Sequence, residues 1–244
     1  MIIAVTGEGA TDYGTGSSID WNWGPVAVYL NRIADANKVN IELSPIHKKE
    51  VDNIRLQRHS FGLKGKAVSS RKFYIAAREK GMKFGVYYCD SDLNASRRGR
   101  KTRDLEKAFN ERCAEVDKGL EAGDGKFIAM IPMSMIECWM LADSSAFVSV
   151  FNGKPGSEKL ITKKPEELWG DERDPDSDYP KCYLNRILKQ VASDTGKNLA
   201  NRENFIEIAG RQDLDKVKKV CNRSFDRFSE EYVKLLNEYG KEEH

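Results

Sequence analysis

Three observations predict an α/β fold: a four-stranded, mainly parallel sheet flanked by helices. Short apolar runs rich in β-branched residues recur at 1–6, 39–46, 83–89 and 126–131. Stretches with helical spacing separate them, and such alternation implies parallel pairing through right-handed crossovers. Strand signals then stop near Asp143, and only helical spacing continues. An α/β domain over 1–145, with a helical extension over 146–244 packed on it, is the expected organisation.

The first strand, Met1 to Thr6, is short and apolar, and a glycine-rich loop follows with Gly7, Gly9, Gly14, Gly16 and Gly24. Pro25 suits a first helical turn, and Val26, Tyr29, Leu30 and Ile33 share one face of a helix reaching Asn37. A second strand is predicted over 39–46. The polar, basic stretch 47–65 carries no clear element. Lys66 to Lys80 reads as a helix that Gly81 ends. The central strand, 83–89, is followed by a helix over 102–120 marked by Leu105, Phe109, Val116 and Leu120. A fourth strand over 126–131 stops at Pro132, and a helix is expected over 134–142. In the extension, Tyr183, Leu184, Ile187, Leu188 and Val191 keep helical spacing. The last helix is expected to start at Ser224 as N-cap and to end at Gly240.

With 40% hydrophobic and 32% charged residues, the chain has the material for a core in a soluble protein. No apolar run approaches the roughly 20 residues that span a bilayer, and the amino terminus has no signal-peptide pattern. The five cysteines are odd in number, widely spread and without Cys-x-x-Cys spacing, which suits free thiols in a reducing cytoplasm. A net charge of +2 leaves any attraction to nucleic acid to local clustering.

The central strand delivers Asp90 and Asp92 at its carboxyl end, where ligands of open α/β sheets sit. Residues two apart on extended chain point the same way, so both carboxylates can converge on one spot. Hard oxygen donors suit Mg²⁺ or Mn²⁺. The plainer alternative is that both aspartates cap local turns. Glu8, between Gly7 and Gly9, follows the first strand and suits a metal ligand or general base. If strands one and three are neighbours, three carboxylates gather at one edge. Glu137 follows the fourth strand and could be a further ligand, although Ser134 and Glu137 also match a capping box.

Five basic residues in seven, Arg97, Arg98, Arg100, Lys101 and Arg103, come directly after the aspartates and suit the phosphates of nucleic acid. Arg55, Arg58, His59, Lys64, Lys66, Arg71 and Lys72 would extend that surface if they lie near it. In either place a charge run can equally be a solvated loop. The histidines show no ligand spacing, and no Ser/His/Asp or Cys/His arrangement is readable.

Glu8 and the Asp90-Ser91-Asp92 pair resemble, in order and spacing, the metal-binding residues of the Toprim domain shared by topoisomerases, primases and OLD-type nucleases. The chain also resembles a bacterial Toprim-related family with three further marks, read here as GEGATD, ECWMLAD, and a tail with Pro180-Lys181 followed by Cys221-Asn222-Arg223-Ser224-Phe225. Asp12 departs from the commoner glutamate, and Asn222-Arg223 interrupts the tail signature. The resemblance implies a Toprim-like fold, with Glu8 as general acid/base or metal ligand and Asp90 and Asp92 as Mg²⁺ ligands. It also implies an ABC- or OLD-like ATPase partner in a phage-defence system, and Lys181 and Arg211 are the tail's candidate phosphate contacts. A topoisomerase needs further domains and a primase usually a zinc module, which leaves a nuclease acting on DNA or RNA as the expectation. The alternatives are a metal-dependent nucleotide-handling transferase, which needs a nucleotide-sized pocket, and a non-catalytic module binding nucleic acid or an ATPase.

Overall fold

The computed structural model describes residues 1–17, 19–56, 62–92, 104–153, 160–192 and 198–242. They group into two compact units. The first comprises Met1–Cys89, Asn110–Ile131 and Phe228–His244, and the second comprises Asp90–Phe109 and Pro132–Arg227.

The first unit holds a four-stranded, all-parallel sheet built from β1 (Ile2–Thr6), β4 (Glu42–Pro45), β5 (Phe84–Tyr88) and β6 (Phe127–Met130), in the order β4-β1-β5-β6. A small antiparallel ribbon, β2 (Gly14–Thr15) with β3 (Asn22–Trp23), lies in the glycine-rich loop. Every residue of β5 and β6 is buried, as expected of parallel strands covered on both faces. Neighbouring β1 and β5 pair Ile3 with Phe84 and Thr6 with Tyr87.

Helix α1 (Pro25–Ala36) starts on proline and buries Val26, Tyr29, Leu30 and Ile33, the face the spacing predicts. Helix α2 (Lys48–Asn53) occupies part of the stretch left without an element, with only Val51 buried. Helix α3 (Lys66–Glu79) sends Phe73 and Tyr74 edge-on to Phe127, with ring centroids 5.9 and 4.9 Å away. Gly85 makes room for this packing, since a Cβ there would stand 2.5 Å from the Phe127 ring and 3.0 Å from Phe73. Gly81 ends α3 in the left-handed region at φ 75°. Helix α4 follows over Leu105–Leu120.

The second unit is helical. It contains α5 (Glu137–Met140), α6 (Ser145–Phe151), α7 (Pro180–Ala192), α8 (Arg202–Arg211) and α9 (Leu214–Val220). Helix α7 buries Tyr183, Leu184, Ile187, Leu188 and Val191, one continuous apolar stripe. Asn201 caps α8 and Asp213 caps α9, each accepting backbone N–H groups of the first turn. The last helix, α10, runs Phe225–Glu242 and so continues through Gly240, where the sequence predicts its end.

Two more local expectations are corrected. The strand over 39–46 is shorter, Glu42–Pro45. The helix over 134–142 reduces to the single turn Glu137–Met140, and the Ser134/Glu137 capping box does not form. Ser134 instead lies in the left-handed region at φ 70°, with its backbone engaged elsewhere. Among the described residues no helix is long and apolar enough to cross a membrane.

Candidate functional site

Glu8 belongs to the first unit. It leaves β1 in a turn that Gly9 completes at φ 88°, a backbone angle glycine adopts without steric cost. Its Oε2 pairs with Lys66 Nζ at the start of α3. Together with Thr6, Gly7, Lys48, Val51, Asp52, Ser69 and Tyr87, the pair lines a cleft of about 110 Å³. Burial pushes the Tyr87 phenol up, reinforced by Cys89 and Glu8, so it stays a neutral hydroxyl. Asp12, from the same opening motif, accepts a hydrogen bond from Tyr88 Oη at 3.4 Å.

Asp90, Asp92 and Glu137 belong to the second unit. The Asp90-Ser91-Asp92 segment is clasped to the Pro132–Ser134 segment. Asp92 N donates to Ser134 O at 2.8 Å, and Ser134 N donates to Ser91 Oγ at 2.7 Å. Ser91 Oγ, 3% exposed, donates in turn to Pro132 O at 2.9 Å. Both ends of the clasp are strained, because Asp92 (φ 24°) and Ser134 (φ 70°) carry side chains in the left-handed region.

Tyr179 stands beside Asp92. Its Oη lies 3.5 Å from Asp92 Oδ1, a long contact. Burial pushes its phenol up, and Asp92, Glu172, Glu137 and Asp90 push it further. Glu137 is 3% exposed, and its Oε2 accepts no hydrogen bond, while the carboxylate acts on Tyr179 and on the buried thiol of Cys138. Among the described residues, no three or more His, Cys, Asp or Glu side chains stand where they could hold one metal ion. Asp90 and Asp92 supply two carboxylates, which fits Mg²⁺: it binds through one or two carboxylates and keeps several waters.

Two separate sequence motifs come together behind these acids. Trp139, fully buried in ECWMLAD, donates from Nε1 to Ser224 Oγ at 2.7 Å and stacks edge-on against Phe225 at 5.0 Å. Cys221 Sγ donates to Cys138 O at 3.5 Å. Glu166 closes the network. It accepts from Ser224 N and Oγ at 2.9 and 2.6 Å and from Arg223 N at 3.2 Å. Burial nonetheless holds the Glu166 carboxyl above its usual range, against the pull of Ser224 and Arg223. Asp143 behaves oppositely. Burial pushes it up, but the Asp213 N–H, Ser145 and Lys216 outweigh that and hold it below the usual carboxylate range. The tail motif is thus a brace for the helix that carries Glu137.

Arg97, Arg98, Arg100, Lys101 and Arg103, the predicted phosphate contacts, lie outside the described residues, as do Arg58 and His59. Within the second basic group, Arg71 donates to Gly119 O and Lys118 O, Lys72 donates to Asp52 O, and Lys66 pairs with Glu8. Lys181 is exposed. Arg211 ion-pairs with Glu207 and donates to Ser149 O, leaving its side chain 45% exposed. Sequence reasoning missed Tyr179, Glu166 and the Ser91 clasp. The Ser224 hydroxyl that it read as an N-cap is the bridge between Trp139 and Glu166.

Residues 77–231 match the model of a family described as a domain of unknown function, DUF4276. This span includes Asp90, Asp92, Glu137 and Tyr179, while Glu8 and Lys66 precede it. No curated protein and no solved structure matches the chain.

Proposed function

The chain belongs to the DUF4276 family, and we propose that it is a divalent-metal-dependent nuclease, hydrolysing phosphodiester bonds in DNA or RNA. The observation that carries this reading is the placement of Asp90 and Asp92 just past the end of β5, with Asp92 clasped to Ser134 and 3.5 Å from the Tyr179 hydroxyl. Like charges held together invite a cation, and a polyanionic substrate is the usual company of a carboxylate-held Mg²⁺ or Mn²⁺.

Asp90 and Asp92 would hold the ion, which when bound stabilises charge on a phosphate and activates water. The Ser91 clasp fixes the backbone of Asp92 before any ligand arrives. Tyr179, kept neutral by burial and the surrounding carboxylates, offers its Oη proton as a hydrogen-bond donor. Glu8, oriented by Lys66, takes the role of general acid/base that the Toprim resemblance implies. The basic run from Arg97 to Arg103, with Lys181 and Arg211, would contact phosphates. The free cysteines suit action in the cytoplasm, and the Toprim resemblance adds an ABC- or OLD-like ATPase partner in phage defence. The transferase alternative would need a nucleotide-sized pocket near Asp90 and Asp92, and the 110 Å³ cleft at Glu8 is below the roughly 300 Å³ of small-molecule sites.

The test is Mg²⁺- or Mn²⁺-dependent cleavage of plasmid, single-stranded DNA and tRNA by wild type, Asp90→Ala and Glu8→Ala, with folding verified by circular dichroism. Wild-type cleavage that falls below about one thousandth in both variants is the expected result. If a folded wild type, alone or supplied with a candidate ABC- or OLD-like ATPase, neither binds Mn²⁺ nor cuts any polymer, the non-catalytic module replaces the nuclease.

A further inference from the structure

The second unit carries a pocket of about 330 Å³ that the acid site does not use, lined by Thr162, Lys163, Lys164, Glu167, Trp169 and Asp178. Its size is that of a small-molecule site. Trp169 is half-buried and its Nε1 is fully buried, so the ring offers the pocket carbon surface rather than a donor. Around that surface stand two ammonium groups and two carboxylates. Lys163 pairs with Asp178, and Lys164 lies 3.2 Å from Glu167. The lining is therefore close to neutral overall, yet dense in both donors and acceptors. This combination suits a flat, uncharged group whose edge carries both kinds of hydrogen-bonding atom, which describes a nucleobase.

The pocket wall is anchored to the braced part of the same unit. Glu166, just before Glu167, is fixed by Ser224 and Arg223, and Leu168 is 2% exposed. Gly170 packs directly on the next wall: a Cβ there would stand 2.6 Å from Tyr179 N and 3.0 Å from Asp178 N. Tyr179, the neighbour of the lining residue Asp178, reaches Asp92 with its hydroxyl. The pocket's Asp178 is thus the chain neighbour of the residue whose hydroxyl meets Asp92.

We infer that this pocket is a nucleobase subsite, stacking one unpaired base on Trp169 while Lys163, Lys164 and Asp178 meet its edge. The inference deepens the nuclease reading, since it makes single-stranded or unpaired nucleic acid the substrate class. Base–aromatic stacking is indifferent to base identity, and a base inside a duplex is not available for it.

Binding is measured by fluorescence anisotropy in EDTA, so that no cleavage intervenes, with labelled 12-nucleotide single strands, the matching duplex and a labelled mononucleotide. Wild type is expected to prefer the single strand over the duplex. Trp169→Ala should weaken that binding about tenfold, Trp169→Phe should restore most of it, and the Lys163→Ala/Lys164→Ala pair should weaken it several-fold. Equal affinity for duplex, or Trp169→Ala within twofold of wild type at unchanged melting temperature, overturns the subsite while leaving any metal-dependent cleavage standing. Trp169-dependent binding of the mononucleotide alone upholds the subsite but moves the reaction to the nucleotide-handling class.

Discussion

Two loops present acids after neighbouring strands, and they are built on opposite principles. The turn after β1 places Glu8 beside Gly9, and the left-handed angle falls on the glycine, where it costs little. The segment after β5 puts the left-handed angle on Asp92 itself and answers it with a second strained residue, Ser134. Each such residue costs about 1–3 kcal/mol and persists only where its surroundings over-determine it. Glu8 also meets an ammonium group, Lys66, and Asp92 meets the neutral phenol of Tyr179, on which Glu172, Glu137 and Asp90 also act. One loop is relaxed and locally balanced in charge. The other carries its strain on residues with side chains, Asp92 and Ser134.

The sharpest way to break this contrast is to separate metal binding from turnover. Asp92→Asn and Asp90→Asn should each weaken Mn²⁺ binding about a hundredfold, read by calorimetry or by loss of the free-ion electron-spin signal. Glu8→Gln should bind Mn²⁺ within about threefold of wild type and still fail to cleave. Equal loss of Mn²⁺ in all three variants would make Glu8 a ligand and end the distinction between the loops.

Next in size is the clasp. Ser91→Ala removes a hydroxyl that both donates and accepts, leaving Pro132 O and Ser134 N buried without it. A cost of about 3 kcal/mol in chemical denaturation is expected, together with weaker Mn²⁺ binding. A loss below about 1 kcal/mol would show that Asp92 is held by something other than Ser91.

The sheet was readable because its evidence is local. Apolar runs such as Phe84–Tyr88, buried on both faces, need no alternation to be seen, and the intervening helices dictate their parallel pairing. The position of Asp90 and Asp92 past the end of the central strand was readable for the same reason, since a strand end is a position in the chain. Helix α2 escaped notice because only Val51 of its six residues is buried, so it leaves no period. The ribbon β2–β3 is two residues a side and leaves none either. Ser134 misled because Ser-x-x-Glu is a genuine capping pattern, and only the distant Ser91 claims its backbone for another use. Tyr179 and Glu166 sit in a charged, proline-bearing stretch that reads as loop, and what defines them is a partner 58 to 87 residues away.

The smallest effect is also the most discriminating. Asp92→Gly removes the side chain from a left-handed position and takes one carboxylate out of the cluster around Tyr179. The first change favours the folded state, opposed by the greater freedom of glycine in the unfolded chain and by loss of the 3.5 Å contact with Tyr179. A net gain of up to about 1 kcal/mol in urea denaturation is expected, in a protein that no longer binds Mn²⁺. Gly9→Ala in the other loop should move stability the opposite way, since its φ of 88° disfavours any side chain and a Cβ would stand 2.9 Å from Asp12 Oδ2. If Asp92→Gly destabilises instead, the carboxylate of Asp92 is holding the fold together, and the strain at this residue serves structure rather than the site.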